Sequence, residues 1–333
     1  MASSEKGFGA KTTDFSELMG CHRTTVGHFF KNSKWDSDRL EKELLTISLD
    51  AVNVNGKPLF IKIDDTVNPK KRPRSNAKNP MGGTRNVYSH LEHKTTFGHN
   101  VFAVMANDTC IKLTLCEKSD DTENDGNKPK TKIEMTVELA QSLPVQTNAY
   151  ALMDSWYTCD KVVKAFADKG IFTIGALKVN RNIFPGGQKI NISEFAKTLS
   201  ESDFSLVTAK SKKYLVYRYE GKVKGVDNAV VLLSYPEGRF GDEKALRAFL
   251  CTDLSLDNQM IVNYYGERWS VEVFFKQIKK YFAFGKYMVR STNAIKRFFI
   301  LVRLTAFYCV SIFKQQLGKA VISLRRAIFR RFY

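Results

Sequence analysis

Apolar and polar residues alternate with strand-like and helix-like periods along the first half of the chain. PLFIKIDDT is rich in branched apolar residues and predicts a buried strand that ends at Asp64 and Asp65. HNVFAVMANDTCIKLTLCEKS predicts two strands joined at Asn107–Asp108. Four more elements follow: a helix, a strand that ends at Asp154, a second helix closed by Gly170, and the strand IFTIGALKV. This order predicts a mixed α/β sheet flanked by helices.

The pattern changes after about Arg181. FSLVTA, YLVYRY and AVVLLSY predict strands separated by Lys/Gly turns, so residues 182–253 form a mostly β insertion. The core is therefore predicted to comprise residues 51–181 and 254–300, followed by basic C-terminal helices over residues 301–333. Residues 1–50 are predicted to be helical, and their two short helices around Gly20–Cys21 fit a small helix-turn-helix and a plain helical hairpin equally well.

One amphipathic helix is predicted from Asn258 to Phe282. At about 100° per residue, its polar stripe spans roughly 80° beside an apolar stripe of roughly 100°. Glu272 is the carboxylate of the polar stripe, which also contains Tyr265, Arg268, Lys276 and Lys279. The simplest interpretation is a ladder of exposed charge pairs, because Arg268–Glu272 and Glu272–Lys276 are i,i+4 neighbours.

The charge balance points to a polyanionic partner. The 333 residues include 52 Lys and Arg against 34 Asp and Glu, a net charge of +18, and nucleic acid is the commonest such partner, with an anionic membrane surface as the alternative. No uncharged run of 18 residues and no secretory signal is visible, so we expect a cytoplasmic protein without a membrane segment. The six cysteines contain no CxxC pair, which is typical of reduced thiols rather than of a disulfide framework or zinc site.

Two aspartates are predicted at the edge of the sheet where ligands bind. Asp65 and Asp154 each follow a predicted strand, and ligands of open α/β sheets bind at the carboxyl ends of strands. Three carboxylates brought together with Glu272 would repel one another unless a cation neutralised them. Oxygen ligands select Mg²⁺ or Mn²⁺, and a pair of such ions suits in-line phosphoryl displacement. We therefore expect Asp65, Asp154 and Glu272 to be both catalytic residues and metal ligands.

The segment YYGERWSVEVFFKQIK resembles the signature of a known enzyme family. Tyr265, Arg268, Glu272 and Lys279 follow the spacing Y-x2-R-x3-E-x6-K of DDE transposases in the group typified by insertion sequence four. Trp269 also matches common members. IDDT resembles the first-aspartate motif of this group, with Asp65 as the better match and Asp64 as its neighbour, and LMDSWY resembles the second.

This resemblance implies an RNase H-like core and a bacterial, nucleoid-associated transposase that cleaves and transfers strands at terminal inverted repeats. It implies double-stranded DNA, both element ends and target, as the partner, and a homodimer that handles the two ends together. Tyr265, Arg268 and Lys279 are expected to contact phosphates near the cleaved end, with Trp269 beside them. Lys178 and Arg181, which follow a strand end, are additional candidates for DNA binding, as is the basic loop from Val67 to Lys94.

The sequence is also compatible with two other functions. The first is a DNA-binding protein that descends from a transposase and has lost catalysis, although the intact acidic residues favour an enzyme. The second is another RNase H-like nuclease, although the tyrosine and arginine that precede Glu272 are typical of transposases that bind element ends.

Overall fold

The computed structural model describes residues 11–52, 56–78, 80–89, 93–116 and 130–332, so the start of the predicted N-terminal region lies outside the described residues. The helices of the described part are α1 (Thr12–Met19), α2 (Arg23–Lys31), α3 (Ser37–Val52), α4 (Lys132–Ser142), α5 (Asp160–Ala167), α6 (Ile192–Lys197), α7 (Asn258–Gly266), α8 (Trp269–Tyr281), α9 (Thr292–Phe313) and α10 (Leu317–Phe332). The strands are β1 (Leu59–Pro69), β2 (Arg85–Ser89), β3 (Lys94–Ala106), β4 (Thr109–Leu115), β5 (Ala149–Met153), β6 (Ile171–Leu177), β7 (Asn182–Ile183), β8 (Ile190–Asn191), β9 (Ser205–Ala209), β10 (Lys212–Val223), β11 (Val226–Pro236) and β12 (Arg247–Cys251).

In the described part of the chain, twelve strands form one mixed sheet. Its order is β2-β3-β1-β5-β6-β12-β11-β10-β7-β8, with β4 paired to β3 and β9 paired to β10. Strand β5 runs parallel to both β1 and β6, whereas β12 pairs with β6 antiparallel. The run β4-β3-β1-β5-β6, flanked by helices, has the RNase H-like arrangement, which confirms the predicted fold class.

The chain divides into two compact units. The first unit contains the described residues of 1–55, 64–131 and 270–333, and the second contains 56–63 and 132–269. In the first unit, helices α8, α9 and α10 share a core with β3, β4, α1 and α2. In the second unit, α7 covers a core formed with β5, β6, β11 and β12, and a separate core lies among β10, β11, α6 and their neighbours. The predicted boundaries of core and insertion differ from this division and stay a prediction.

Buried arginines attach the N-terminal helices to α9. Arg297 donates to the main-chain oxygens of Phe30 and Trp35 at 3.2 and 3.4 Å, and its guanidinium lies over the Trp35 ring. Arg303 donates to the Glu41 carboxylate at 3.2 Å and to the Glu41 carbonyl oxygen at 3.1 Å. Because a buried guanidinium is costly without acceptors, these contacts fix α2 and α3 on the first unit.

Most predicted elements are present, and two of them differ. The hairpin at Asn107 is confirmed, and so are the three predicted strands of the β-rich segment, as β9, β10 and β11. The helix predicted from Asn258 to Phe282 is two helices, because Glu267 and Arg268 bond to carbonyls only three residues back and tighten the turn. The predicted basic loop is partly sheet, since β1 continues to Pro69 and β2 lies within the loop. Strand β12, which the sequence pattern did not indicate, joins β11 to β6.

Candidate active site

The second half of β1 is tied to the segment around α8 through one side of the strand. The Lys279 ammonium donates to the Thr66 hydroxyl at 2.8 Å and to the Val67 carbonyl oxygen at 3.1 Å. The Asn68 amide, which is buried, donates to the Phe284 carbonyl oxygen at 3.2 Å. Side chains alternate between the two faces of a strand, so Thr66 and Asn68 lie on the same face of β1. That face is turned toward α8 and the chain that follows it.

Lys70 continues this series of contacts just beyond the end of β1. Its ammonium donates to the main-chain oxygens of Gly285 and Tyr287 at 3.0 and 2.9 Å and lies 3.6 Å from the centre of the Tyr287 ring. Burial lowers the pKa of Lys70 to about 8. The Tyr287 hydroxyl is bonded to His99, and burial raises the Tyr287 pKa. Lys70, predicted to be part of a DNA-binding loop, therefore serves to hold the chain after α8.

In the first half of β1, which belongs to the second unit, side chains also alternate between the two faces of the strand. The Phe60 ring packs edge-on against Tyr264 of α7, with ring centres 4.9 Å apart. The buried ammonium of Lys62 lies 3.7 Å from the carboxylate of Glu267, the residue that follows α7. Phe60 and Lys62 are both even-numbered, as are Thr66 and Asn68, and their neighbours Ile61 and Ile63 are fully buried on the opposite face.

Asp64 belongs to this series by its position. It lies between Lys62 and Thr66 on β1, so strand alternation places its side chain on the face that carries Thr66. The Asp65 side chain lies on the opposite face of β1, together with that of Ile63. Both aspartates are half-buried, and the Asp64 carboxylate accepts from the Asp65 main-chain N–H at 2.8 Å. The alternation therefore favours Asp64 over Asp65 as the first acidic site residue.

Asp154 directly follows β5 and organises the loop after this strand. One of its carboxylate oxygens accepts from the main-chain N–H groups of Trp156 and Tyr157, at 2.8 and 3.3 Å, while its carbonyl oxygen accepts from the Thr158 hydroxyl at 2.8 Å. Gly175 of β6 permits this turn, because an added Cβ would lie 2.3 Å from the Thr158 hydroxyl oxygen. Asp154 is thus held at the carboxyl end of a strand by the residues Ser155–Thr158.

Arg181 and Lys178 both contact this loop. Arg181 is half-buried and donates to the Thr158 carbonyl oxygen at 2.6 Å, so its guanidinium supports the main chain beside Asp154. Lys178 is exposed, and its ammonium lies 5.8 Å from the centre of the Trp156 ring. Lys132, at the start of α4, lies over the same ring at 5.1 Å.

Trp156 is an additional candidate site residue that the sequence pattern did not single out. It is 55% exposed, unusual for a large aromatic residue, and two ammonium groups lie against its ring. The sequence does place an aromatic residue two positions after Asp154, but its exposure and its lysine neighbours depend on the turn and on residues more than twenty positions away. Cations beside an exposed indole suit the phosphates and bases of a nucleic acid.

The signature residues occupy the junction of α7 and α8. Tyr265 packs on Phe249 of β12, with ring centres 4.7 Å apart, and the Arg268 guanidinium lies 5.9 Å from the Tyr265 ring. Trp269 begins α8 and is 49% exposed. On α8, Glu272 and Lys279 are seven residues apart and therefore share a face. Lys279 uses that face to bind β1, so it contacts the protein itself where a phosphate contact is expected.

The four acidic candidates would suit a magnesium or manganese ion by their chemistry. Asp64, Asp65, Asp154 and Glu272 offer only carboxylate oxygens, the ligands that these ions prefer. Asp64, Asp65 and Glu272 belong to the first unit and Asp154 to the second. Among the described residues, no group of three or more His, Cys, Asp or Glu side chains lies close enough to hold a metal ion. The predicted meeting of three carboxylates therefore stays a prediction.

Comparison with known families identifies the class of protein. A family model described as "Transposase DDE domain" matches residues 120–308, and a second, described as "DDE superfamily endonuclease", matches residues 14–194. Comparison with curated proteins gives no match. No helix within the described residues is both long and apolar enough to cross a membrane. Each family model spans more than half of the chain, and the chain therefore belongs to the DDE transposase family.

Proposed function

We propose that this protein is an active transposase of the insertion-sequence-four group that binds the inverted repeats of a bacterial element and cleaves and transfers their strands in the cytoplasm. The observation that carries the proposal is the Lys279–Thr66 bond, which turns the Glu272 face of α8 toward the side of β1 to which Asp64 belongs. The four-residue signature and the DDE family models support the same function.

Asp64, Asp154 and Glu272 are the proposed catalytic carboxylates, with Asp64 in the role that sequence similarity gave to Asp65. The last pair of the β1–β5 ladder is Lys62 with Leu152, and Asp64 and Asp154 each follow two residues later on their own strand. When bound, one or two Mg²⁺ or Mn²⁺ ions would lower the pKa of a water molecule and neutralise charge on the phosphate. The carboxylates would hold these ions and orient the attacking oxygen.

The surrounding cations divide into two roles in this proposal. Tyr265, Arg268, Trp269 and Lys178 bind the DNA backbone near the cleaved end, because their side chains are at least partly exposed. Lys279 and Arg181 act through the protein: Lys279 fixes α8 on β1, and Arg181 fixes the loop after Asp154. Two ends must be processed together, so the active form is proposed to be a homodimer.

The test uses the DNA that flanks the coding region. Short inverted repeats bounded by a target-site duplication identify the substrate, and purified protein is incubated with this DNA in Mg²⁺ or in chelator. The expected result is metal-dependent cleavage at the repeat tip that Glu272→Gln abolishes. Normal cleavage by Glu272→Gln would overturn the site assignment. Specific binding of the repeats without cleavage by the unchanged protein would instead identify a DNA-binding protein that has lost catalysis.

A further inference from the structure

The turn between β9 and β10 has an unusual backbone for its residues. Lys212 pairs with Ala209, so Lys210 and Ser211 alone form the hairpin loop. Their φ angles are 47° and 68°, and both lie in the left-handed region. Two-residue hairpin loops of this kind favour asparagine and glycine, which adopt positive φ with little strain. Lysine and serine are poor choices for the turn itself, which suggests another role for the tip.

The hairpin is fixed along helix α7. The Gln259 side chain accepts from the Thr208 main-chain N–H at 2.9 Å and donates to the Thr208 carbonyl oxygen at 2.6 Å. The Asn258 amide adds a bond to the Ser205 hydroxyl at 3.3 Å. A side-chain amide thus pairs with the edge of β9 as another strand would, so the direction of the hairpin is set by α7.

The tip of the hairpin reaches the signature residues. The Lys210 ammonium donates to the Gly266 carbonyl oxygen at 3.4 Å, at the last residue of α7. Gly266 follows Tyr265 directly and precedes Arg268 by two residues. The carboxyl end of a helix attracts a cation, so this position suits an ammonium group. Lys210 therefore adds a positive charge beside the residues proposed to hold the DNA end.

The tip also carries a concentration of positive charge. Lys210, Lys212 and Lys213 are exposed, and Lys213 lies 3.8 Å from the carboxylate of Glu237. Within the described part of the chain, neither Lys210 nor Lys212 forms an ion pair with a carboxylate. Neighbouring ammonium groups repel one another, and a row of phosphates relieves that repulsion.

We propose that the β9–β10 hairpin tip is a phosphate-binding element, with Lys210 and Lys212 contacting the backbone of the DNA whose end Tyr265 and Arg268 hold. This inference rests on the proposed function and adds to it a contact surface from the β-rich segment. The signature motif does not include these lysines. The contacts are to phosphates, so they strengthen binding without reading base sequence.

The test compares charge removal at the tip with charge removal just beyond the opposite end of β10. Lys210→Gln and Lys212→Gln remove one charge each. The double variant Lys210→Asn/Ser211→Gly removes the Lys210 charge but supplies the residues that the turn favours. Lys224→Gln is the matched control, because Lys224 is exposed and directly follows β10, at the end opposite to the hairpin tip. Binding to a duplex that carries the repeat end is measured by fluorescence anisotropy over a salt series, with the thermal midpoint as the check on folding.

The tip variants are expected to bind about three- to tenfold more weakly. The slope of log K against log salt should become shallower by about 1 for each lysine removed. The Asn-Gly variant should bind as weakly as Lys210→Gln while melting no earlier than the unchanged protein, and Lys224→Gln should bind normally. Unchanged affinity and slope in the tip variants, or an equal loss in Lys224→Gln, would overturn the proposal. Cleavage is followed in parallel, so that a protein that binds through the tip but never cleaves refutes only the proposed transposase activity.

Discussion

The Lys279 ammonium donates to the Thr66 hydroxyl at 2.8 Å, and this bond joins two elements that each carry a candidate catalytic carboxylate. Glu272 lies on the same face of α8 as Lys279, about 10.5 Å along the helix axis. Asp64 lies two residues before Thr66 on β1 and, by strand alternation, on the same face. The bond therefore relates the directions of Glu272 and Asp64 within the first unit.

The first prediction concerns the choice between the adjacent aspartates. Because Asp64 shares a strand face with Thr66, Asp64→Asn should reduce cleavage by more than about 100-fold, beyond the loss typical of a residue that only supports a metal ligand. Asp65→Asn should cost about tenfold or less, since its side chain has the direction of buried Ile63. Single-turnover cleavage of repeat-end DNA at saturating protein measures both. The reverse order of effects would restore Asp65 as the metal ligand.

The second prediction separates positioning from phosphate binding at Lys279. Lys279→Met removes the bonds to Thr66 and Val67, so the cleavage rate should fall by about 10- to 100-fold while DNA affinity changes less than threefold. The slope of affinity against salt should also stay unchanged. Lys280→Met is the control, since Lys280 is the next residue and is exposed. An affinity loss that matches the rate loss, with a shallower salt slope, would make Lys279 a phosphate contact.

The third prediction concerns the exposed indole beside Asp154. Trp156→Ala should weaken binding of repeat-end DNA by about 5- to 100-fold, because stacking of one base on an aromatic ring contributes about 1–3 kcal/mol. Trp156→Phe should keep most of the affinity. Lys178→Gln should weaken binding and lower the salt slope by about 1, whereas Lys161→Gln, on the exposed side of α5, should not. Wild-type affinity in Trp156→Ala would assign the indole a structural role alone.

The fourth prediction follows from the low pKa of Lys70. In the unfolded chain this ammonium has a pKa near 10.5, whereas burial lowers it to about 8 in the fold. Between these values the unfolded chain binds more protons than the folded one, so Lys70 makes folding more favourable as pH rises from about 8 to about 10.5. The free energy of unfolding of the wild type, measured relative to Lys70→Met by urea titration, should increase over that window. A constant difference between the two proteins would show that Lys70 keeps its ordinary pKa.

The sequence predicted the parts of this molecule that depend on local patterns. The buried strand at Ile61, the strand that ends at Asp154 and the Asn107 hairpin follow from short-range periodicity and turn residues, and all are present. The break in the helix after Gly266 was not predicted. It depends on two main-chain hydrogen bonds that span three residues and not four, inside a segment whose residue pattern is otherwise helical.

Long-range partners explain the remaining differences. Lys279 and the loop that contains Lys70 were predicted to contact DNA, and the acceptors that these two lysines have within the protein are more than 200 residues away in sequence, at Thr66 and at Gly285. Choosing between Asp64 and Asp65 likewise requires knowing which face of β1 contacts α8. No local sequence pattern gives that information. The resemblance of IDDT to the family motif favours Asp65, whereas the contacts that Thr66 and Asn68 make favour Asp64.

The two buried arginines of α9 have a practical consequence for the design of shortened proteins. Removing the first fifty residues would take away the carbonyl and carboxylate acceptors of Arg297 and Arg303 and uncover Phe298, which packs on Phe30. Such a truncation would expose apolar surface that promotes aggregation, and we expect the shortened protein to be insoluble. A shortened nuclease must therefore keep helices α1, α2 and α3 in order to fold, whether or not these helices contact DNA.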